Sequence, residues 1–358
     1  MRKEQSFLHW SAILAIAVIC CFVLTSQAVA KTIKIRIGTY DPYFELTLDK
    51  TNGEFGSTTI KAQHFKSILE KTSGGKFEVE IFPNGQLGGD REINEMLKVG
   101  TLEASAYEGS MAVHLVPEAY AFKIPYLFKD LNVFMKVING PVGDELKELI
   151  LRRMGIRVMS WGFSGPYYNF MSAKKPIRLP SDLKGQKIRV PPGTEIVEIV
   201  KNAGGSPTPV AWSELYTSLQ QGVVDGCMTY LFVVRYAKLD EILKYFSKAD
   251  VVLIPSWFSV SEKFWQKLSP EERYLVKSAA LRAMEVYEGM MLWGDDMWVE
   301  SLRGKGLTVS IPTQQELKIW KDTLQPPMVE WARKKAGPEW VDKVLKAARE
   351  AEKELYGF

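Results

Sequence analysis

Residues 184–230 read KGQKIRVPPGTEIVEIVKNAGGSPTPVAWSELYTSLQQGVVDGCMTY. Gln186–Val190 alternates polar and apolar residues and ends at Pro191-Pro192-Gly193, the pattern of a strand. Thr194–Ala203 places Ile196, Ile199, Val200 and Ala203 at helical spacing and stops at Gly204-Gly205. Pro207–Val210 is a short extended piece. Ser213 can cap a second helix with Leu215 and Leu219 inward, stopped by Gly222, and Val223–Thr229 is a third strand. Short helices between short strands imply right-handed βαβ units and a parallel sheet. In such sheets ligands bind beyond the carboxyl ends of the strands. Arg189 ends the first strand, Trp212 follows the second, and Thr229 and Tyr230 end the third. A cation, an aromatic ring and a polar edge therefore converge on one cleft, and the helix that starts just after Arg189 adds favourable potential for an anion. The competing reading of Arg189 is a salt bridge within its own lobe.

The first thirty residues look like a removable address. Arg2 and Lys3 form a positive start, Ala12–Leu24 is an uncharged apolar run, and Ala28-Val29-Ala30 is a small-residue cleavage site. The expectation is a secretory signal peptide at 1–30, cut after Ala30, giving a periplasmic protein; the alternative is an uncleaved anchor. Cys20 and Cys21 follow bulky residues, which argues against a lipoprotein, and Cys227 is then the only cysteine of the mature chain. Export without disulfides points to a core large enough to need no staples. The formal charge is +4, of which Arg2, Lys3 and Glu4 supply +1, leaving +3 on the mature part. That mild, evenly spread charge excludes nucleic acid as a partner.

Along the mature chain, Thr32–Ile37 alternates as a strand and the Asp-, Pro- and Gly-rich segment 38–58 follows it as a long loop. At the ligand edge of a parallel sheet, Tyr40, Tyr43 and Phe44 are candidate wall residues; an ordinary surface loop is the alternative. Asp90 can cap a helix running to Val99, and Leu102–Glu108 is a strand with Glu108 at its carboxyl end. Glu108 can accept hydrogen bonds from a ligand or pair with a nearby cation. Composition shifts at 162–169 and around Pro255-Ser256-Trp257 mark two crossings between lobes. The expected division is 31–166 plus 255–294 in lobe I and 167–254 plus 295–358 in lobe II with the C-terminal helices. Ser269-Pro270-Glu271-Glu272 is a strong start for a helix continuing to about Leu302, long enough to run across both lobes. The tail, 313–356, reads as two or three charged helices broken at Pro326-Pro327 and Gly337-Pro338.

Catalytic and metal-binding patterns are missing. Of the three histidines, His9 lies in the leader, and His64 and His114 have no acid or cysteine at ligand spacing. There is no G-x-S-x-G, P-loop or G-x-G-x-x-G. A lone Cys227 beside Met228 reads as a small core residue. The expectation is a binding protein with no metal and no cofactor, and not an enzyme.

Several segments, weak singly, are specific together. They are FPNGQLGGDRE at 82–92, GTLE at 100–103, KGQKIRVP at 184–191, GSPTP at 205–209, SELY at 213–216 and LQQGVVDG at 219–226. In this order the chain resembles the solute-binding subunit of tripartite ATP-independent periplasmic (TRAP) transporters, the DctP type. The resemblance covers essentially the whole mature chain. It implies an α/β, two-lobed periplasmic-binding-protein-like fold, each lobe a mainly parallel sheet flanked by helices, with a long lobe-spanning helix. It also implies closure on a small solute and delivery to TRAP membrane permease subunits driven by an ion gradient.

The resemblance puts the family's carboxylate-binding arginine on Arg189, its aromatic position on Trp212 and its acidic position on Glu108. Two departures matter: a second arginine of many members falls on Asn169, and a ligand asparagine becomes Thr229. Fewer charges and amides, with Trp212, Tyr230 and Trp257 nearby, imply a monocarboxylate with an apolar or aromatic body rather than a dicarboxylate. The expected function is capture of such an acid for transport. The alternatives are a ligand-sensing receptor for a membrane kinase, or a secreted enzyme using Glu108 as base.

Overall fold

The computed structural model describes residues 32–39, 41, 58–108, 115–192 and 195–357, so the leader and Tyr40, Tyr43 and Phe44 lie outside the described residues. The strands are β1 (Ile33–Gly38), β2 (Phe77–Phe82), β3 (Ala104–Glu108), β4 (Ile156–Phe163), β5 (Tyr168–Ser172), β6 (Lys187–Val190), β7 (Ser206–Pro209), β8 (Gly226–Thr229), β9 (Tyr245–Val252), β10 (Pro255–Ser261) and β11 (Thr308–Ser310). The helices are α1 (Thr58–Thr72), α2 (Asp90–Val99), α3 (Leu131–Ile138), α4 (Pro141–Met154), α5 (Ile196–Asn202), α6 (Leu215–Gln220), α7 (Leu231–Tyr236), α8 (Glu262–Trp265), α9 (Pro270–Gly304), α10 (Gln314–Ala336) and α11 (Pro338–Tyr356).

Two sheets result, one ordered β2-β1-β3-β10-β4 and the other β11-β9-β5-β8-β6-β7. The strands of the deciding stretch pair as read: β6 runs parallel to β7 on one side and β8 on the other, with Arg189 opposite Thr208 and Cys227. Ile196, Ile199, Val200, Leu215 and Leu219 are buried, and Gly222 takes φ +70 to end its helix. The third strand starts at Gly226 rather than Val223. The antiparallel pairs in each sheet involve the strands that enter or leave it: β10 against β3 and β4, β5 against β8 and β9.

The first sheet is covered on one face by α1 and α9, where Phe65 packs on Phe258 at 4.4 Å. On its other face the Trp161 indole donates to Gly143 O of α4 at 3.3 Å. Ser269 and Glu272 form a capping box at the start of α9. That helix meets the first lobe where Ser160 Oγ donates to Ala280 O, and the second where Trp298 packs on Phe232 at 5.6 Å.

Three local expectations are corrected. Ser213 lies in a 3-10 turn, Trp212–Glu214, and Glu214 rather than Ser213 takes the cap position of α6. Asp90 is the first residue of α2, not its cap; Gly89 is the cap, and its N–H donates to Glu92 at 2.9 Å. Pro326-Pro327 does not break the tail, because α10 runs through both prolines. Their missing N–H groups cost the helix two backbone bonds. Tertiary anchors outweigh that loss: Trp320, Leu324 and Met328 are buried, and the Gln325 amide donates to Pro125 O and Tyr126 O at 3.1 and 2.8 Å. Among the described residues no helix is long and apolar enough to cross a membrane.

Candidate functional site

Arg189 is 3% exposed and its Nε donates to Val210 O at 3.0 Å, which fixes the plane of the guanidinium. Its Cζ lies 5.8 Å from the Trp212 ring centre, within cation–π range. Behind it, Cys227 is fully buried, and burial pushes its thiol up to about 12 against the opposing pull of the Arg189 charge. That thiol is neutral and inert at neutral pH.

Arg189 lines a cavity of about 610 Å³ walled by both lobes. From the first lobe come Asp41, Asn84, Arg91 and Glu92; from the second, Arg189, Glu195, Trp212, Thr229 and Tyr230. The second wall is aromatic. Tyr168 meets Tyr230 edge-on at 4.2 Å, Tyr230 stacks on Phe232 at 5.3 Å, Phe232 on Tyr236 at 6.1 Å, and Tyr236 approaches Trp212 at 6.0 Å. All five rings line the cavity. Across the gap, the Tyr236 hydroxyl donates to Asp41 Oδ1 at 3.3 Å, a direct link between the lobes.

At the start of α5 the wall holds an acid. Glu195 is 1% exposed and pairs with Lys123 at 3.3 Å, whose own exposure is 1%. The start of this seven-residue helix is thus occupied by a paired carboxylate, which corrects the reading of it as an added anion site. Below the cavity, the Tyr287 hydroxyl donates to Ser164 O, and Lys61 Nζ lies 4.9 Å above the Tyr287 ring and donates to Ser256 Oγ at 2.5 Å. The adjacent Glu288 carboxyl packs over Gly162; burial pushes it up to about 7, opposed chiefly by the Lys61 charge.

Of the sequence-derived candidates, Arg189, Trp212, Thr229 and Tyr230 line the cavity. Asn169 does not. It is 3% exposed; its amide donates to Asp250 Oδ1 at 3.1 Å and its carbonyl accepts the Asp250 N–H at 2.7 Å. Strand alternation explains the correction: the preceding Tyr168 takes the cavity side. Trp257 is also corrected. It is 2% exposed and packs edge-on against Trp161 at 5.3 Å, on the sheet face that carries α4. Glu108 ends β3 in register with Ser256. Sequence reading missed Tyr236, Tyr168, Phe232, Glu195 and Asp41. The available signal was the close spacing of Phe232 and Tyr236 after the candidate Tyr230. Among the described residues no cluster of His, Cys, Asp or Glu could hold a metal ion.

Two lobes walling a cavity that holds a buried arginine have the form of a solute-binding protein. The chain belongs to family 7 of the bacterial extracellular solute-binding proteins, the DctP family, whose model matches residues 52–335. Solute-binding protein RD1_1052 of Roseobacter denitrificans is 31% identical over 247 residues, 69% of this chain and 75% of that protein. The sugar acid binding protein DctPAm from Advenella mimigardefordensis, in complex with galactonate, matches with a TM-score of 0.80 at 28% identity, over 90% of this chain and 99% of that one. A TRAP periplasmic solute-binding protein from Bordetella bronchispeptica, with density assigned to pantoate, gives 0.76 at 27% identity over 88% and 99%. The family is extracytoplasmic and binds small acids for membrane transport; its members are transport proteins, not enzymes.

Proposed function

We propose that the chain captures a small monocarboxylic acid with an apolar or aromatic body and hands it to a TRAP-type permease, after a leader is cut behind Ala30. Arg189 grips the carboxylate, Trp212, Thr229 and Tyr230 bound the body, and Glu108 is the acceptor from the first lobe. One observation carries this reading: a buried arginine, 5.8 Å from the Trp212 ring, at one end of a continuous aromatic wall. Such a wall removes apolar surface from water but offers few hydrogen bonds to a second carboxylate. Asn169, at the family's second arginine position, is occupied with Asp250. The relative with density assigned to pantoate supports the same class, since pantoate is a branched monocarboxylate.

A second reading is a sugar acid. It is favoured by the galactonate-bound relative and by Asp41, Asn84, Arg91 and Glu92 on the opposite wall, groups suited to hydroxyls. A thermal-shift and calorimetry panel of aromatic and branched monocarboxylates, aldonates and four-carbon dicarboxylates separates the two. The first reading expects the branched or aromatic acids to bind tightest; a tighter aldonate replaces it with the second. In either case Arg189→Ala weakens the best ligand by roughly tenfold to a hundredfold, the loss of one charge-assisted contact. Unchanged affinity in that variant removes Arg189 from the site.

A further inference from the structure

The long helix α9 buries one side and shows the other. Ala280, Ala283, Met284, Tyr287, Met291 and Trp298 are buried against the rest of the molecule. At about 100° per residue, the opposite line carries Arg282, Val286, Gly289, Trp293, Met297 and Glu300. All six are exposed. Trp293 is 62% exposed, Val286 43% and Met297 38%. An apolar strip on the water-facing side of a helix, centred on a tryptophan, is the kind of patch that marks a contact surface.

The strip matches itself when turned end for end. Arg282 and Glu300 are equidistant from position 291, and so are Gly289 and Trp293. In an antiparallel pair of α9 helices with a two-fold axis at that position, Arg282 of each copy faces Glu300 of the other. Trp293 of each copy faces Gly289 of the other, and Val286 comes within one residue of level with Met297. A Cβ on Gly289 would meet nothing within 4 Å, so the helix surface there is an open notch for an indole. The Glu300 side chain is 70% exposed and is held by Arg303 through Oε1 at 2.6 Å, at the end of the strip. The two charges stand roughly 27 Å apart along the helix and bracket the apolar centre. A parallel pair would set Arg282 against Arg282 and Glu300 against Glu300, so the charges select the antiparallel one.

We propose that this strip is the interface of a two-fold symmetric homodimer, with α9 packed antiparallel on α9 of a second copy. The occupant is a second copy because shape and charge are both complementary under one rotation, which is what a contact of one patch with itself requires. Trp293 is the anchor, and the strip has the tryptophan, methionine and arginine that are enriched in interfaces. Gly289 lets the two backbones approach closely. A single helix pair covers less than the roughly 800 Å² per partner of a standard interface, so the association is weak and depends on concentration. None of the residues lining the cavity belongs to α9, so the proposal stands apart from the acid class proposed above.

Sedimentation velocity of the mature chain across a concentration series tests it. The expected result is a reversible monomer–dimer equilibrium. Trp293→Ser should leave a monomer throughout. Arg282→Glu and Glu300→Arg each set like charges face to face at two places, and each alone should weaken the dimer by roughly tenfold or more. Mixed in equal amounts, the same two variants regain both opposite-charge pairings, and the mixture should associate about as well as the unaltered protein. The three substituted positions are exposed, so the melting temperature of dilute protein should move little and a folding defect is not mistaken for lost association. A monomer at every concentration overturns the proposal. So does a dimer that survives Trp293→Ser, or a mixture of the two charge variants that associates no better than either alone, because each puts the contact elsewhere.

Discussion

Lys123 and Glu195 form an ion pair at 3.3 Å in which both side chains are almost fully shielded from water, 1% and 2% exposed. Each charge is tolerated there only because of the other. Removing one partner from such a pair typically costs about 3–5 kcal/mol, while replacing both with apolar groups can be neutral. Lys123→Met is therefore expected to lose about that much in denaturant unfolding, and Lys123→Met combined with Glu195→Leu to regain most of it. Additive losses in the double variant would mean that the two charges do not depend on each other.

The Tyr236–Asp41 bond is an inter-lobe contact beside the cavity. A hydrogen bond to a carboxylate contributes about 1.5–3 kcal/mol at most, less where water competes. Tyr236→Phe keeps the aromatic wall and removes only the hydroxyl. The expected outcome is a rise of roughly threefold to tenfold in the dissociation rate of the best acid from the panel, followed by tryptophan fluorescence in stopped flow. The association rate should change much less.

Glu288 gives a signed pH dependence. Its carboxyl is raised from an ordinary 4.5 to about 7, with burial the main cause. Between those values the folded protein holds a proton that the unfolded chain has released. Folding stability from this group is thus fully present below about pH 4.5 and is lost as pH rises through about 7. The full span is worth about 1–3 kcal/mol. Glu288→Gln should flatten the fall in melting temperature between pH 5 and 7 relative to the parent protein, a difference that cancels most other titrating groups. An unchanged slope would show that Glu288 titrates normally.

Two glycines near one another in space predict opposite effects. A Cβ on Gly162 would lie 2.2 Å from Glu288 Oε1 and 2.6 Å from Met284 Sδ, whereas a Cβ on Gly289 meets nothing within 4 Å. Gly162→Ala is expected to destabilise by about 1–3 kcal/mol through overpacking. Gly289→Ala, in the exposed interior of α9, should stabilise by about 0.5–1 kcal/mol. Calorimetric melting of the pair checks both signs at once.

Arg189, Trp212, Thr229 and Tyr230 were legible in the sequence because their places depend on local order: a strand end followed at once by a turn or helix. Asn169 and Trp257 were not, for a different reason. The strands that carry them are buried on both faces throughout, so no polar alternation reveals which way a given side chain points. Pro326-Pro327 misled because local propensity ranks below the tertiary grip of Trp320 and Gln325 on a helix that packs across other elements. Tyr236 and Asp41 are distant in sequence, and only the assembled lobes bring them together.

The place of β10 also governs how the molecule can be made. It sits between β3 and β4, and β4 has no other strand partner among the described residues. A nascent chain emerging amino end first must carry β3 and β4 with one unzipped edge each until β5 to β9 of the second sheet and then β10, ending at Ser261, have been delivered. Neither half is a self-sufficient folding module. A polypeptide truncated before Pro255 should remain a client of chaperones and proteases, and expressing the halves as separate genes would yield aggregates unless both were present together.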